Sequence, residues 1–109
     1  MMRTYEEMPK IKLPHAKDIK MSDTTIRDGC QMPGVVMKKA HKLKIFEYLH
    51  DMGVEKLETF VYNERDKDAC RAMMDYGYEF PEVTGWARAN PADIDEVLKI
   101  DGIRETGIL

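Results

Sequence analysis

Much that would assign a class to this sequence is scarce or missing. It has two cysteines, Cys30 and Cys70, too few for a disulfide framework and without the CxxC spacing of a zinc or redox site. No apolar run approaches the roughly 18 residues needed to span a bilayer. The first 18 residues, MMRTYEEMPKIKLPHAKD, are broken by charge every few positions and lack the apolar core of a signal peptide. Basic residues are not clustered, and 17 Lys and Arg against 20 Asp and Glu give a net charge of -3, a poor match for a nucleic-acid backbone. No solenoid consensus is present. The three histidines, His15, His41 and His50, form no His-x-His pair. These absences lead to the expectation of a soluble, cytoplasmic chain in a reducing compartment, with neither nucleic acid nor membrane as a partner.

What remains is ordinary globular material, 43% hydrophobic and 34% charged over 109 residues. That length allows one domain with a modest core. It is well short of the roughly 250 residues of a closed eight-stranded barrel.

Residues 1–18, with Pro9 and Pro14 among charges, read as an N-terminal arm. From Ile19 onward two periodicities alternate. Strands are expected at Ile19–Thr25, Val54–Val61, Glu82–Ala87 and Glu105–Leu109. Between them, Lys38–Met52 carries an apolar stripe of Leu43, Ile45, Phe46, Leu49 and Met52, and Gly53 ends it as a left-handed cap. A second helix runs from about Asn63 to Tyr76 on Ala69, Ala72, Met73 and Tyr76, closed by Gly77. The third starts at Asn90-Pro91-Ala92-Asp93, with Asn at the cap, Pro in the first turn and Asp at the positive end of the dipole. Its stripe is Ile94, Val97 and Leu98, and Gly102 ends it. Strand–helix alternation with short loops implies an α/β class, with parallel strands joined by right-handed crossovers.

The densest chemistry follows the first strand, in Asp23-Thr24-Thr25-Ile26-Arg27-Asp28-Gly29-Cys30-Gln31-Met32-Pro33-Gly34-Val35. In parallel α/β folds ligands bind at this end of the strands. Asp28 offers oxygen to a hard divalent cation, and Arg27 a guanidinium for negative charge on a substrate oxygen. Gly29 and Gly34 permit backbone shapes that bulkier residues resist. On composition and spacing alone, the same charges read more readily as a structural ion-pair network within a loop.

The stretch resembles the first-strand signature of the pyruvate carboxyltransferase-like (HMGL-like) metal-dependent barrels, an Asp-Thr-Thr-Leu-Arg-Asp-Gly run followed by Gln. That superfamily holds isopropylmalate, homocitrate, citramalate and Re-type citrate synthases, hydroxymethylglutaryl-CoA lyases and oxovalerate aldolases. Met32-Pro33-Gly34-Val35 is more similar to the synthases. Val54-Glu55-Lys56-Leu57-Glu58 resembles the family's second strand, and Trp86-Ala87-Arg88-Ala89 with Asp93-Ile94-Asp95 its third strand and helix. The likeness runs from about Ile19 to Leu109.

The resemblance implies the N-terminal half of a TIM (β/α)8 barrel, four strands and three helices, with residues 19–109 forming a partial barrel domain that stops after strand 4. The implied chemistry is a Claisen-type condensation of acetyl-CoA with a 2-oxo acid, dependent on a divalent metal (Mg2+, Mn2+ or Zn2+), in a homo-oligomer when full length. Arg27 takes the role of catalytic arginine and Asp28 that of metal ligand. Gln31, Glu58 and Arg88 take substrate-binding places. The His-x-His ligands and the base would come from later strands, so the chain alone is expected to be inactive. A related lyase or aldolase, and a non-catalytic half-barrel that binds a partner, are the alternatives. Other residues read more plainly: Cys30 as a small packed side chain, the histidines as surface groups, Met52, Met73 and Trp86 as packing, and Glu64–Asp68 as a solvated helix start. Phe60 and Tyr62 read as core or pocket mouth. Four open strands would leave two free edges and an apolar inner face, so the isolated chain is expected to aggregate or to pair with another half-barrel.

Overall fold

The structure, a computed structural model, describes residues 4–7 and 16–109. Pro9, Pro14 and His15 lie outside the described residues, so the expected arm is seen only as short 3₁₀ turns at Tyr5–Glu7 and Ala16–Asp18. Then follow β1 (Ser22–Asp23), α1 (Lys39–Met52), β2 (Lys56–Phe60), α2 (Glu64–Asp75), β3 (Glu82–Ala87), α3 (Pro91–Leu98) and β4 (Thr106–Ile108). The strands form one parallel sheet in the order β1-β2-β3-β4. This is the α/β arrangement read from the sequence, four neighbouring strands of a barrel with helical crossovers. Among the described residues, no helix is long and apolar enough to cross a membrane.

Local chemistry sets the boundaries. The carboxamide oxygens of Asn63 and Asn90 accept from the N–H groups of Asp66 and Asp93, each at 2.9 Å, capping α2 and α3. His41 caps α1, its Nδ1 accepting from the Lys38 N–H at 3.2 Å. Gly53 turns the chain out of α1 with φ at 76°, a left-handed value that favours glycine. The third helix stops earlier than expected, with Lys99 at its C-cap and Gly102 in the turn beyond. The first strand is also shorter than expected, because Asp23 bends the chain into a turn.

Alternation along the strands divides the sheet into two unlike faces. Leu57, Val61, Val83 and Ala87 point outward and are buried with Phe46 and Leu49 of α1, Cys70 and Met73 of α2, and Val97 and Ile100 at α3. Gly85 lets α3 approach β3 closely; a Cβ there would stand 2.8 Å from a Val97 methyl.

The opposite face corrects an expectation, for it is charged rather than apolar. Lys56 reaches Glu105 and lies 4.0 Å from Glu82, while Glu58 holds Arg27. Thr84 bonds the Leu57 carbonyl at 3.1 Å. Charged side chains on this face pair within the sheet or with Arg27, while Phe60 and Trp86 keep it partly apolar toward its carboxyl end, and the outer edges of β1 and β4 stay unpaired.

Further differences concern the helices. Met52 and Leu98 are exposed, at the ends of α1 and α3 where the stripe runs past the sheet, whereas Met73 is fully buried. The Glu64–Asp68 start of α2 is not simply solvated. Lys42 of α1 meets Asp66 at 3.1 Å and Lys67 meets Glu96 of α3, and both lysines are buried. Charged groups there tie α2 to both neighbours. His50 is half-buried, stacked on Tyr78 with ring centres 3.7 Å apart, and its Nδ1 lies 2.8 Å from the Phe80 carbonyl.

Lys67 and Lys99 together hold the Glu96 carboxyl down from 4.5 to about 2. A depressed carboxyl contributes stability above its unfolded pKa and loses it as pH falls through the folded one. The chain is therefore expected to lose thermal stability between about pH 4.5 and pH 2, followed by circular dichroism. Glu96→Gln should flatten that acid limb; an acid limb of unchanged steepness would contradict the assignment.

Candidate active site

The loop after β1 is built from its own side chains. Asp23 spends both carboxylate oxygens on Thr25, one on the N–H at 2.9 Å and one on the hydroxyl at 3.1 Å. The Thr24 carbonyl then accepts from the N–H groups of Arg27, Asp28 and Gly29 at 3.1, 2.7 and 3.3 Å. Ile26 is 1% exposed and anchors this turn in the core. With Ile26 fixed inward, Arg27 is delivered to the charged face of the sheet. A 3₁₀ turn at Gly29–Gln31 follows, and of the two loop glycines only Gly34 is left-handed.

Arg27 is the hub. Its Nε donates to Glu58 Oε2 at 2.6 Å and its Nη1 to Asp28 Oδ1 at 3.2 Å. Its guanidinium carbon lies 4.2 Å from the centre of the Trp86 ring. The Arg27 and Glu58 side chains are 17% and 13% exposed, so the pair is largely withdrawn from water, whereas the Asp28 side chain is 67% exposed. The loop after β1, the middle of β2 and the end of β3 thus converge on the inner face toward the carboxyl side of the sheet, where parallel barrels place their chemistry.

Beside this hub opens a cleft of about 420 Å³ lined by Gln31, Phe60, Tyr62, Trp86, Arg88 and Leu109. Of the five residues singled out from the sequence, Gln31 and Arg88 line the cleft directly. Arg27 and Glu58 pair with each other and touch the cleft through Trp86. Asp28 stands at the solvent side, outside the cleft lining. Arg88 is held in a bidentate grip by Asp93, at 2.7 and 2.9 Å, which keeps the Asp93 carboxyl below its usual range and fixes the guanidinium at the cleft edge.

Trp86 is the residue that packing arguments undervalued. Alternation along β3 carried the signal: Thr84, Trp86 and Arg88 share one face, so an arginine in the cleft implies a tryptophan beside it. Phe60 and Tyr62 likewise face the cleft, while Val61 between them is in the core.

Neither cysteine belongs to the hub. Cys70 is buried, and burial pushes its thiol up to about 11; Cys30 is half-buried, and desolvation raises its thiol too. His41 and His50 serve a helix cap and an aromatic stack. Among the described residues no group of three or more His, Cys, Asp and Glu side chains is placed to hold a metal. Asp28 alone is one carboxylate, whereas Mg2+ needs six near-octahedral donors. The described residues do not make a metal centre by themselves.

The chain belongs to the HMGL-like family, whose model matches residues 18–106. It is 39% identical to the citrate (Re)-synthase of Clostridium kluyveri, over 96% of this chain and 25% of that protein. It is 35% identical to homocitrate synthase AksA of Methanocaldococcus jannaschii, over 87% of this chain and 23% of that protein. A probable 2-isopropylmalate synthase of Ignicoccus hospitalis is 37% identical, over 92% and 24%. The chain therefore spans about a quarter of the length of these relatives, and each of the three carries a synthase name.

The thiol environments are open to a simple check. Iodoacetamide at neutral pH should label Cys30 slowly and Cys70 only after unfolding; rapid native labelling of Cys70 would contradict its burial.

Proposed function

We propose that this chain contributes the first four strands and the arginine-bearing rim of an acyltransferase that condenses acetyl-CoA with a 2-oxo acid. The observation that carries the reading is the placement of Arg27. It sits at the carboxyl end of β1, held at Nε by Glu58, and opens beside a cleft of a size for a small organic acid. The synthase names of its relatives supply the reaction class.

In that reaction acetyl-CoA gives a methyl proton to a base that the described residues do not supply, and as the resulting enolate carbon attacks, the carbonyl π bond of the 2-oxo acid opens and its keto oxygen becomes an alkoxide. Arg27 is the catalytic residue that meets this charge, and a fixed guanidinium in a site partly shielded from water favours the charged product of attack. Glu58 holds the guanidinium in orientation. Gln31 and Arg88 bind the acid's polar groups from the cleft walls. Asp28 is the family-like metal donor, one carboxylate on the solvent side of the hub. No step is drawn through the metal, because the described residues do not complete its site.

Two measurements test the reading. Titrating the isotope-labelled chain with pyruvate, oxaloacetate or 2-oxoglutarate should move amide resonances of Gln31, Glu58, Trp86 and Arg88, and Arg27→Gln should abolish the effect. Perturbations on the opposite edge of the sheet, or indifference to Arg27→Gln, would refute it. Calorimetry with Mg2+ or Mn2+ should show only weak binding that Asp28→Asn removes; tight binding unaffected by that change would overturn the role of Asp28.

A further inference from the structure

Gly107 lies in β4 directly across from Trp86. It is not one of the left-handed glycines, so its backbone places no demand for glycine. Its surroundings do. A Cβ at Gly107 would fall 2.3 Å from indole Cε3, 2.5 Å from Cζ3 and 2.8 Å from Glu58 Oε1. The benzo edge of the indole and the Glu58 carboxylate therefore both occupy the space that a side chain on β4 would take. With the indole seated there, the Arg27 guanidinium lies over its ring at 4.2 Å.

We infer that Trp86, seated on the bare backbone of Gly107, is a positioning residue for Arg27. The inference rests on the proposed role of Arg27 and adds how its orientation is fixed. The two anchors differ in kind. Glu58 takes Nε through a charged hydrogen bond, which offsets part of the positive charge. The indole contacts the guanidinium through its π face, which limits water and rotation while leaving the charge in place. Glu58 takes Nε and Asp28 one N–H of Nη1; of the five guanidinium donors, those of Nη2 make no hydrogen bond to the described residues and are the ones turned to a substrate oxygen. Asp28 is exposed and holds Nη1 at 3.2 Å, a weak second tether, so the carboxylates alone leave the guanidinium room to swing about its bond to Glu58. The ring closes that freedom.

Trp86 is the only tryptophan in the chain, so indole emission comes from this site alone. The experiment uses the 109-residue chain, labelled with 15N, and follows the Arg27 Nε–Hε resonance together with indole fluorescence. Expected are an upfield ring-current displacement of Nε–Hε, its loss in Trp86→Leu and Gly107→Ala, its partial retention in Trp86→Phe, and a changed indole emission in Arg27→Gln. Pyruvate binding should weaken about two- to fivefold in Trp86→Leu, the size of a partly exposed cation–π contact, and return toward wild type in Trp86→Phe. Gly107→Ala may be read only if its amide spectrum is folded, and the two Trp86 variants test the idea without it. An Nε–Hε resonance without ring-current displacement, or one indifferent to Trp86→Leu, overturns the inference. A displaced resonance that responds as described, in a chain that binds no 2-oxo acid, supports the positioning while ending the catalytic reading of Arg27.

Discussion

Arg27 and Glu58 meet at 2.6 Å with less than a fifth of either side chain exposed, and this ion pair sets what the carboxyl edge of the sheet can be. Removing Arg27 would leave the Glu58 carboxylate largely desolvated, and removing Glu58 would leave Arg27 only the exposed Asp28 and the indole face. The surrounding residues are arranged to prevent that. The Asp23 turn and the Ile26 anchor bring Arg27 to the sheet, β2 supplies Glu58, β3 lays Trp86 against the guanidinium, and β4 withdraws to glycine at Gly107. Each strand supplies one part of the arrangement.

The same division runs through the whole sheet. Its outer face carries the apolar side chains, and three helices cover it. Its inner face carries Lys56, Glu58, Glu82 and Glu105, joined mostly to one another across strands. Stability and chemistry are thereby assigned to opposite sides of each strand. A one-residue slip in register would exchange them, sending charges into the core and Leu57 into the cleft. Ion pairs also join the helices. The Lys42–Asp66 and Lys67–Glu96 contacts link α1 to α2 and α2 to α3, where a purely apolar interface would have had less angular preference.

Much of this was legible in the residues. Strand–helix alternation, the Asn63 and Asn90 caps and the Gly53 stop depend on local chemistry, and all appear where local chemistry puts them. The hub was legible in part. Arg27, Asp28 and Gln31 stand in one motif, and Glu58 in a second. Their joining depends on how β1 and β2 align, which no local pattern encodes. Trp86 read as packing because a tryptophan in a strand is a good core residue until its face is known. Gly107 gave no signal at all, since its need for space arises only from a neighbour on another strand. The inner face was misjudged for a related reason: charges spaced two apart along short strands look solvated until their partners across the sheet are seen. Met52 and Leu98 follow the helical period but lie beyond the sheet they would pack on.

Arg27 and Glu58 act as one unit rather than as two charges that happen to lie close. A double-mutant cycle with Arg27→Gln, Glu58→Gln and the pair, read by chemical unfolding of the chain at neutral pH, measures that directly. A coupling of at least about 1 kcal/mol is expected, within the range for contacting charged residues. Additive effects, with a coupling indistinguishable from zero, would contradict it.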